Sequence, residues 1–138
     1  MASYHFHLTQ VKRSRGQSVI AQAAYRAGEK LYSTYYGESS DFTRKRGVVM
    51  AEICLPDHAP REYANRETLW NALEWAEHGR KAQLAHSFDI TLMNEFSMEE
   101  NIEMVRAFVQ EELVSRGMIA DFAIHDPVRP KGAEPNPH

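Results

Sequence analysis

Residues 3–31 read SYHFHLTQVKRSRGQSVIAQAAYRAGEKL, and the change of period inside this stretch decides the fold. From Ser3 to Gln10 the side chains alternate: Tyr4, Phe6 and Leu8 share one face, and Ser3, His5, His7 and Thr9 share the other. Period-two alternation predicts a half-buried strand. A basic turn follows, Lys12-Arg13-Ser14-Arg15-Gly16-Gln17, and Ser18 can cap a helix. At about 100° per residue, Ile20, Ala23, Ala24, Ala27 and Leu31 fall in one stripe, which predicts a helix over Val19–Leu31. Tyr25 lies about 140° from Ile20 by the same rotation, with Ser18, Gln22 and Glu29, so the tyrosine stands outside the apolar stripe.

The rest of the chain repeats this strand-and-helix logic. Residues 32–46 are polar and aromatic and read as a hairpin or loop ending in Arg44-Lys45-Arg46. Val48–Leu55 is apolar, β-rich and stopped by Pro56. Asn65 can cap a helix of about Arg66–Glu77, with Leu69, Ala72, Leu73 and Ala76 inward and Gly79 closing it. Leu84–Met93 alternates, placing Leu84, His86, Phe88, Ile90 and Leu92 opposite Ala85, Ser87, Asp89 and Thr91. Ser97-Met98-Glu99-Glu100 has the form of a capping box. The helix it opens has Ile102, Val105, Phe108, Val109 and Leu113 inward, up to Gly117. Met118–His125 is a last strand, and Asp126–His138 is a proline-rich loop. The predicted fold class is α+β: a single, mostly antiparallel sheet with helices packed on one face.

Composition narrows the functions. The 138 residues are 43% hydrophobic and 25% charged, with mean hydropathy -0.54, which predicts one globular domain over 1–138. No apolar run is long enough for a membrane span, and no charged segment leads into an apolar signal core, so a cytoplasmic protein is expected. The lone Cys54 excludes an internal disulfide and, set in an apolar strand, is expected to be inert. Residues 1–46 hold 8 Lys/Arg against 3 Asp/Glu, a net of +5, whereas residues 47–138 hold 8 against 16, a net of -8. A basic end on an acidic body predicts a local anion site, with nucleic acid as the natural ligand. The chain lacks G-x-x-x-x-G-K-[ST], G-x-G-x-x-G and G-x-S-x-G, so it carries neither of these nucleotide-binding loops nor a nucleophile elbow.

Some residues remain as candidates for chemistry. Tyr25 sits on a polar helix face beside Arg26, downstream of the Lys12–Arg15 turn; a phenol near cations can attack a phosphodiester, and it can equally be an ordinary surface residue. His5 and His7 share a strand face at chelating spacing. His125 ends a strand on its polar side, and His138 lies across the loop; two imidazoles can share a metal whose shell other groups complete. Asp89 can orient a neighbour or accept a proton.

Taken together, several stretches resemble MobA/MobL-type conjugative relaxases. They are Tyr4-His5-Phe6, Arg15-Gly16-Gln17-Ser18, Ala23-Ala24-Tyr25-Arg26-Ala27-Gly28-Glu29, Asp41-Phe42-Thr43-Arg44-Lys45, Arg66-Glu67-Thr68-Leu69-Trp70-Asn71, Gly117-Met118-Ile119-Ala120-Asp121, Ile124-His125-Asp126 and Asn136-Pro137-His138. The resemblance implies an HUH-endonuclease-like fold and an enzyme that nicks and reseals one strand of plasmid DNA at an origin of transfer. It implies Tyr25 as the nucleophile, through a 5′-phosphotyrosine intermediate. His125 and His138 would be ligands of a divalent metal, Mg or Mn, and His138 would open a His-x-His pair. Asp89 is the nearest match to the family's acidic residue, with Ser87 where a glutamate is expected. The resemblance also implies that the chain is the N-terminal part of a larger relaxase domain, ending before the second histidine of the pair and its strand, so that this portion alone would be weak or inactive.

Lys12, Arg13, Arg15, Arg26, Arg44, Lys45 and Arg46 are the expected contacts to single-stranded or hairpin origin DNA. Relaxosome accessory and coupling proteins are the expected partners. A non-cleaving origin-binding module and a rolling-circle replication initiator are the alternative readings.

Overall fold

The computed structural model describes residues 6–16, 18–77, 79, 81–127, 132 and 136–138. The expectations placed on Ser3–His5, on Gln17 and on most of the loop over 128–135 lie outside the described residues. The first strand, β1 (Phe6–Lys12), runs into a 3-10 turn at Arg13–Arg15 and then α1 (Val19–Ala27). The Ser18 side chain caps α1 by accepting from the Ala21 amide. The helix stops at Ala27, earlier than its apolar stripe predicts. Gly28 takes a left-handed conformation, φ 67°, and its amide returns to the Ala24 carbonyl. Leu31 still joins the core, but from β2 (Lys30–Ser33), which pairs with β3 (Glu38–Asp41) as a hairpin.

Strand β4 (Val48–Cys54), helix α2 (Arg66–Ala76), strand β5 (Gln83–Ile90), helix α3 (Met98–Glu112) and strand β6 (Ala120–His125) follow in that order. The α+β class and antiparallel pairing hold. Two details differ from expectation. Among the described residues the strands form three two-stranded ladders, β1–β5, β2–β3 and β4–β6, and not one sheet. Helices also lie on both faces. Alternation along β6 sends Asp121 toward α2, where Arg66 and Trp70 bond it, and sends Ala120 and Phe122 toward Val105 and Val109 of α3.

The main core is Val11, Val19, Ile20, Ala23, Ala24, Leu31 and Leu84, with Trp70, Phe42 and Ala85 against it. On β1, Val11 lies in this core, while His7 and Thr9 on the same face are exposed; the three stand in register with Ala85, Asp89 and Ser87 of β5, of which Ser87 is buried. The more apolar face, Phe6, Leu8 and Phe88, is exposed, with Phe6 and Phe88 stacked at 5.9 Å. The reason is that α3 packs over β4–β6 and leaves this side of β1–β5 uncovered. Phe108 and Ala76 are likewise exposed, and Glu74, not Ala76, is the buried residue late in α2.

The capping box of α3 forms as read: Ser97 Oγ accepts from the Glu100 amide and Glu100 Oε1 from the Ser97 amide, both at 3.1 Å. Ser97→Ala removes one acceptor and is expected to cost ~1 kcal/mol of stability in urea unfolding. No described helix is long and apolar enough to cross a membrane.

Candidate active site

Tyr25 sits in the last turns of α1, off the buried stripe, with 53% of its surface exposed. Its ring meets Phe42 edge-on, centroids 5.3 Å apart at 90°. The carbonyls of a helix's last turn have no partner within the helix, and here two of them recruit side chains. Lys45 Nζ donates to the Tyr25 carbonyl at 2.9 Å. His125 Nε2 donates to the Arg26 carbonyl at 2.7 Å. Both donors come from elements far along the chain, so the end of α1 gathers an ammonium and an imidazole around one phenol.

The same lysine lies over the Tyr25 ring, Nζ 3.5 Å from its centroid. Burial, and next the Arg26 charge, hold the Lys45 pKa below the ordinary lysine value. Arg26 turns the other way: its guanidinium donates to Ser87 Oγ on β5. Ser87 is buried, so the serine that stands where a glutamate was expected serves as an acceptor for Arg26. Asp89, next on that face, is exposed and stands in register with His7. His5 is outside the described residues, so the His5/His7 pair does not enter the geometry.

His125 and His138 are brought together, ring centroids 5.4 Å apart. Their backbones pair in both directions: the His125 amide donates to the His138 carbonyl at 2.6 Å, and the His138 amide to the His125 carbonyl at 2.9 Å. The Leu92 amide donates to the Pro137 carbonyl at 2.9 Å, so residues 137–138 lie between the end of β6 and the chain just past β5.

Burial is the main cause that pushes the His125 pKa below the ordinary histidine value, against the hydrogen bond to Arg26. That favours the neutral ring, protonated at Nε2, with a bare Nδ1. His138 donates from Nδ1 to the Asn136 carbonyl at 2.9 Å, so Nε2 is the nitrogen left to face a ligand. Each ring thus spends one N–H on a backbone carbonyl and turns its other nitrogen elsewhere, the arrangement that orients histidines as metal ligands. Among the described residues no group of three or more His, Cys, Asp or Glu side chains could hold a metal. The pair therefore fits as part of a ligand shell that other groups complete.

The basic residues separate. Arg44 and Arg46 are exposed, Lys12 and Lys45 are partly buried, and the side chain of Arg15 is outside the described set. Arg13 is spent elsewhere: it bonds Glu74 Oε2 at 2.8 Å and the carbonyls of Glu74 and Glu77, and stacks on Tyr35.

Sequence reasoning missed a buried clamp behind the site. Arg66 donates to both oxygens of Asp121 at 2.9–3.0 Å and to Glu29 Oε1 at 2.7 Å, and Trp70 Nε1 donates to Asp121 at 2.8 Å. It ties the chain just past α1, the start of α2 and the start of β6 together. Asp121 shares its strand face with His125, so the clamp fixes the separation that the His125–Arg26 bond spans. Its only sequence signal was Asp121 opposite the apolar positions of its strand.

Comparison with known proteins matches residues 17–138 to the MobA/MobL family model. A probable mobilization protein MobA of Bifidobacterium longum is 33% identical over the whole chain, which spans 24% of that relative. A conjugal transfer protein TraA of Agrobacterium fabrum is 36% identical over 91% of the chain, which spans 12% of it. A solved structure described as the molecular basis of vancomycin resistance transfer in Staphylococcus aureus superimposes with TM-score 0.87 at 32% identity. It covers 99% of this chain, which covers 67% of it.

Proposed function

The chain belongs to the MobA/MobL family, and from that premise we propose that it is the N-terminal part of a relaxase domain that nicks and reseals one DNA strand at a plasmid origin of transfer. The observation that carries this reading is the outward phenol of Tyr25 at a helix end whose next carbonyl binds His125. In the proposed reaction Tyr25 Oη bonds to phosphorus as the P–O3′ bond breaks. The phenol proton passes to a base and the departing 3′ oxygen takes one up. Asp89, exposed on the strand face turned to α1, is the proposed base. Reversal by the 3′-hydroxyl releases Tyr25 and reseals the strand.

His125 and His138 would hold part of a divalent cation's shell, Mg or Mn. When bound, the cation supplies polarisation of a nonbridging phosphate oxygen. The protein's own contribution is placement. Lys45 and Phe42 flank the phenol, and Arg26 crosses to Ser87 between the tyrosine and Asp89's strand. We place the protein in the cytoplasm with relaxosome accessory and coupling proteins as partners.

DNA contact falls to the basic segment after the hairpin. Arg44→Ala/Arg46→Ala is expected to weaken oligonucleotide binding. It should also flatten the log–log salt dependence by roughly 1.4, about 0.7 per single-strand phosphate contact. Fluorescence anisotropy over a salt series reads both quantities.

The test of the function is covalent capture. The full-length protein, mixed with a labelled single-stranded oligonucleotide carrying its plasmid's origin and with Mg or Mn, is expected to give a denaturation-resistant adduct. Binding without an adduct would favour a non-cleaving module instead.

A further inference from the structure

The loop that carries Lys45 is fastened at both ends to the elements of the site. At its start the Phe42 amide donates to the Glu29 carbonyl just past α1, at 3.0 Å. Asp41 Oδ1 accepts from the Thr43 amide and hydroxyl, at 3.0 and 2.7 Å, and the Lys45 amide closes a turn onto the Phe42 carbonyl at 3.0 Å. At its end Gly47 adopts φ 85°, and a Cβ there would stand 2.9 Å from the Asp126 carbonyl oxygen. The Asp126 amide donates to the Gly47 carbonyl at 2.8 Å. The loop thus spans from the end of α1 to the end of β6, and its position over the phenol is built in.

We propose that Lys45 is a positioning residue for Tyr25, holding the phenol in one outward orientation, and is not a phosphate contact. Two observations on the same ammonium carry this. Nζ sits 3.5 Å from the ring centroid and donates at 2.9 Å to the carbonyl of that same residue. A cation over an aromatic face is attracted by the ring's electron-rich centre, and the hydrogen bond anchors the cation to the backbone from which the ring projects. Phe42 closes the ring's edge. The side chain of Lys45 is partly buried, unlike those of Arg44 and Arg46 on either side. The triplet therefore divides its labour: the outer two face solvent and the middle one faces the nucleophile. Near-attack geometry is costly to lose, since a displacement of about 1 Å can cost 10²-fold in rate.

This inference rests on Tyr25 as the nucleophile, and the experiment separates the two. Lys45→Met and Lys45→Arg are made in the full-length protein, with three readouts. These are oligonucleotide affinity with its salt slope, the single-turnover capture rate at saturating oligonucleotide, and the NMR shift of the Lys45 ε-methylene. Lys45→Met is expected to leave affinity and salt slope within error and to slow capture by about 10- to 100-fold. Lys45→Arg, which can also stack on the ring, recovers most of that rate.

In the wild type the ε-methylene resonates upfield of the other lysines by the ring current, and Tyr25→Leu abolishes the displacement. A salt slope lowered by about 0.7, one phosphate contact, with unchanged capture at saturation, overturns the proposal and leaves the relaxase reading standing. Wild type that forms no adduct overturns the relaxase reading. The ε-methylene shift then still reports on Lys45, and its absence overturns the placement.

Discussion

Tyr25→Phe is expected to bind the origin oligonucleotide as the wild type does and to form no covalent adduct, a loss of at least about 10³-fold in capture. Phenylalanine keeps the ring against Phe42 and under Lys45 and deletes only the oxygen, which is exposed and makes no described hydrogen bond. Helix α1 keeps its core stripe of Ile20, Ala23 and Ala24, because residue 25 lies on the other side. Stability should accordingly stay within about 0.5 kcal/mol. Capture is measured on denaturing gels and affinity by anisotropy. A Tyr25→Phe protein that captures at the wild-type rate would move the chemistry to another residue.

The second large effect is on stability. Asp121→Ala is expected to cost about 3–5 kcal/mol, the usual penalty for leaving a buried charge without its partner. The Asp121 and Arg66 side chains each retain 9% exposure. Removal of the carboxylate leaves Arg66 with Glu29 alone, itself 43% exposed, and strands the Trp70 indole N–H. Urea unfolding checks the value. Asp121→Leu/Arg66→Met, which removes both charges, should recover much of the loss. A cost below about 1 kcal/mol for Asp121→Ala would show that the clamp does not hold α1 to β6.

What could be read in the sequence was local. The Ser18 cap, the box at Ser97 and Glu100, and the strand stopped by Pro56 are each decided within a few residues, and each forms as expected. The outward Tyr25 follows from helical rotation alone. The end of α1 is not legible locally because the apolar stripe continues through Leu31. Gly28's left-handed turn breaks the helix, while strand alternation brings Leu31 to the same core.

The side of β1–β5 that packs is not legible locally for a different reason. Phe6, Leu8 and Phe88 are the more apolar face, and which face is covered depends on where α3 docks, through contacts some tens of residues away. The basic residues follow the same rule. Arg13 meets Glu74 and Arg66 meets Asp121 across 61 and 55 positions, and charge counting along the chain cannot show such pairings. The meeting of His125 with His138 was expected from the family likeness, whereas the hydrogen bond from His125 to the Arg26 carbonyl was visible only in three dimensions.

Tyr32, Tyr35 and Tyr36 are exposed phenols on the hairpin nearby and offer rival oxygens. Tyr35, however, meets Trp75 edge-on and lies under Arg13, whereas Tyr25 sits at the helix end whose next carbonyl binds His125. The deciding measurement is therefore tandem mass spectrometry of the nuclease-trimmed, protease-digested adduct. A nucleotide joined through its 5′-phosphate to Tyr25 is predicted. The same mass on one of the hairpin tyrosines, or DNA recovered uncut with no modified peptide, would contradict the account.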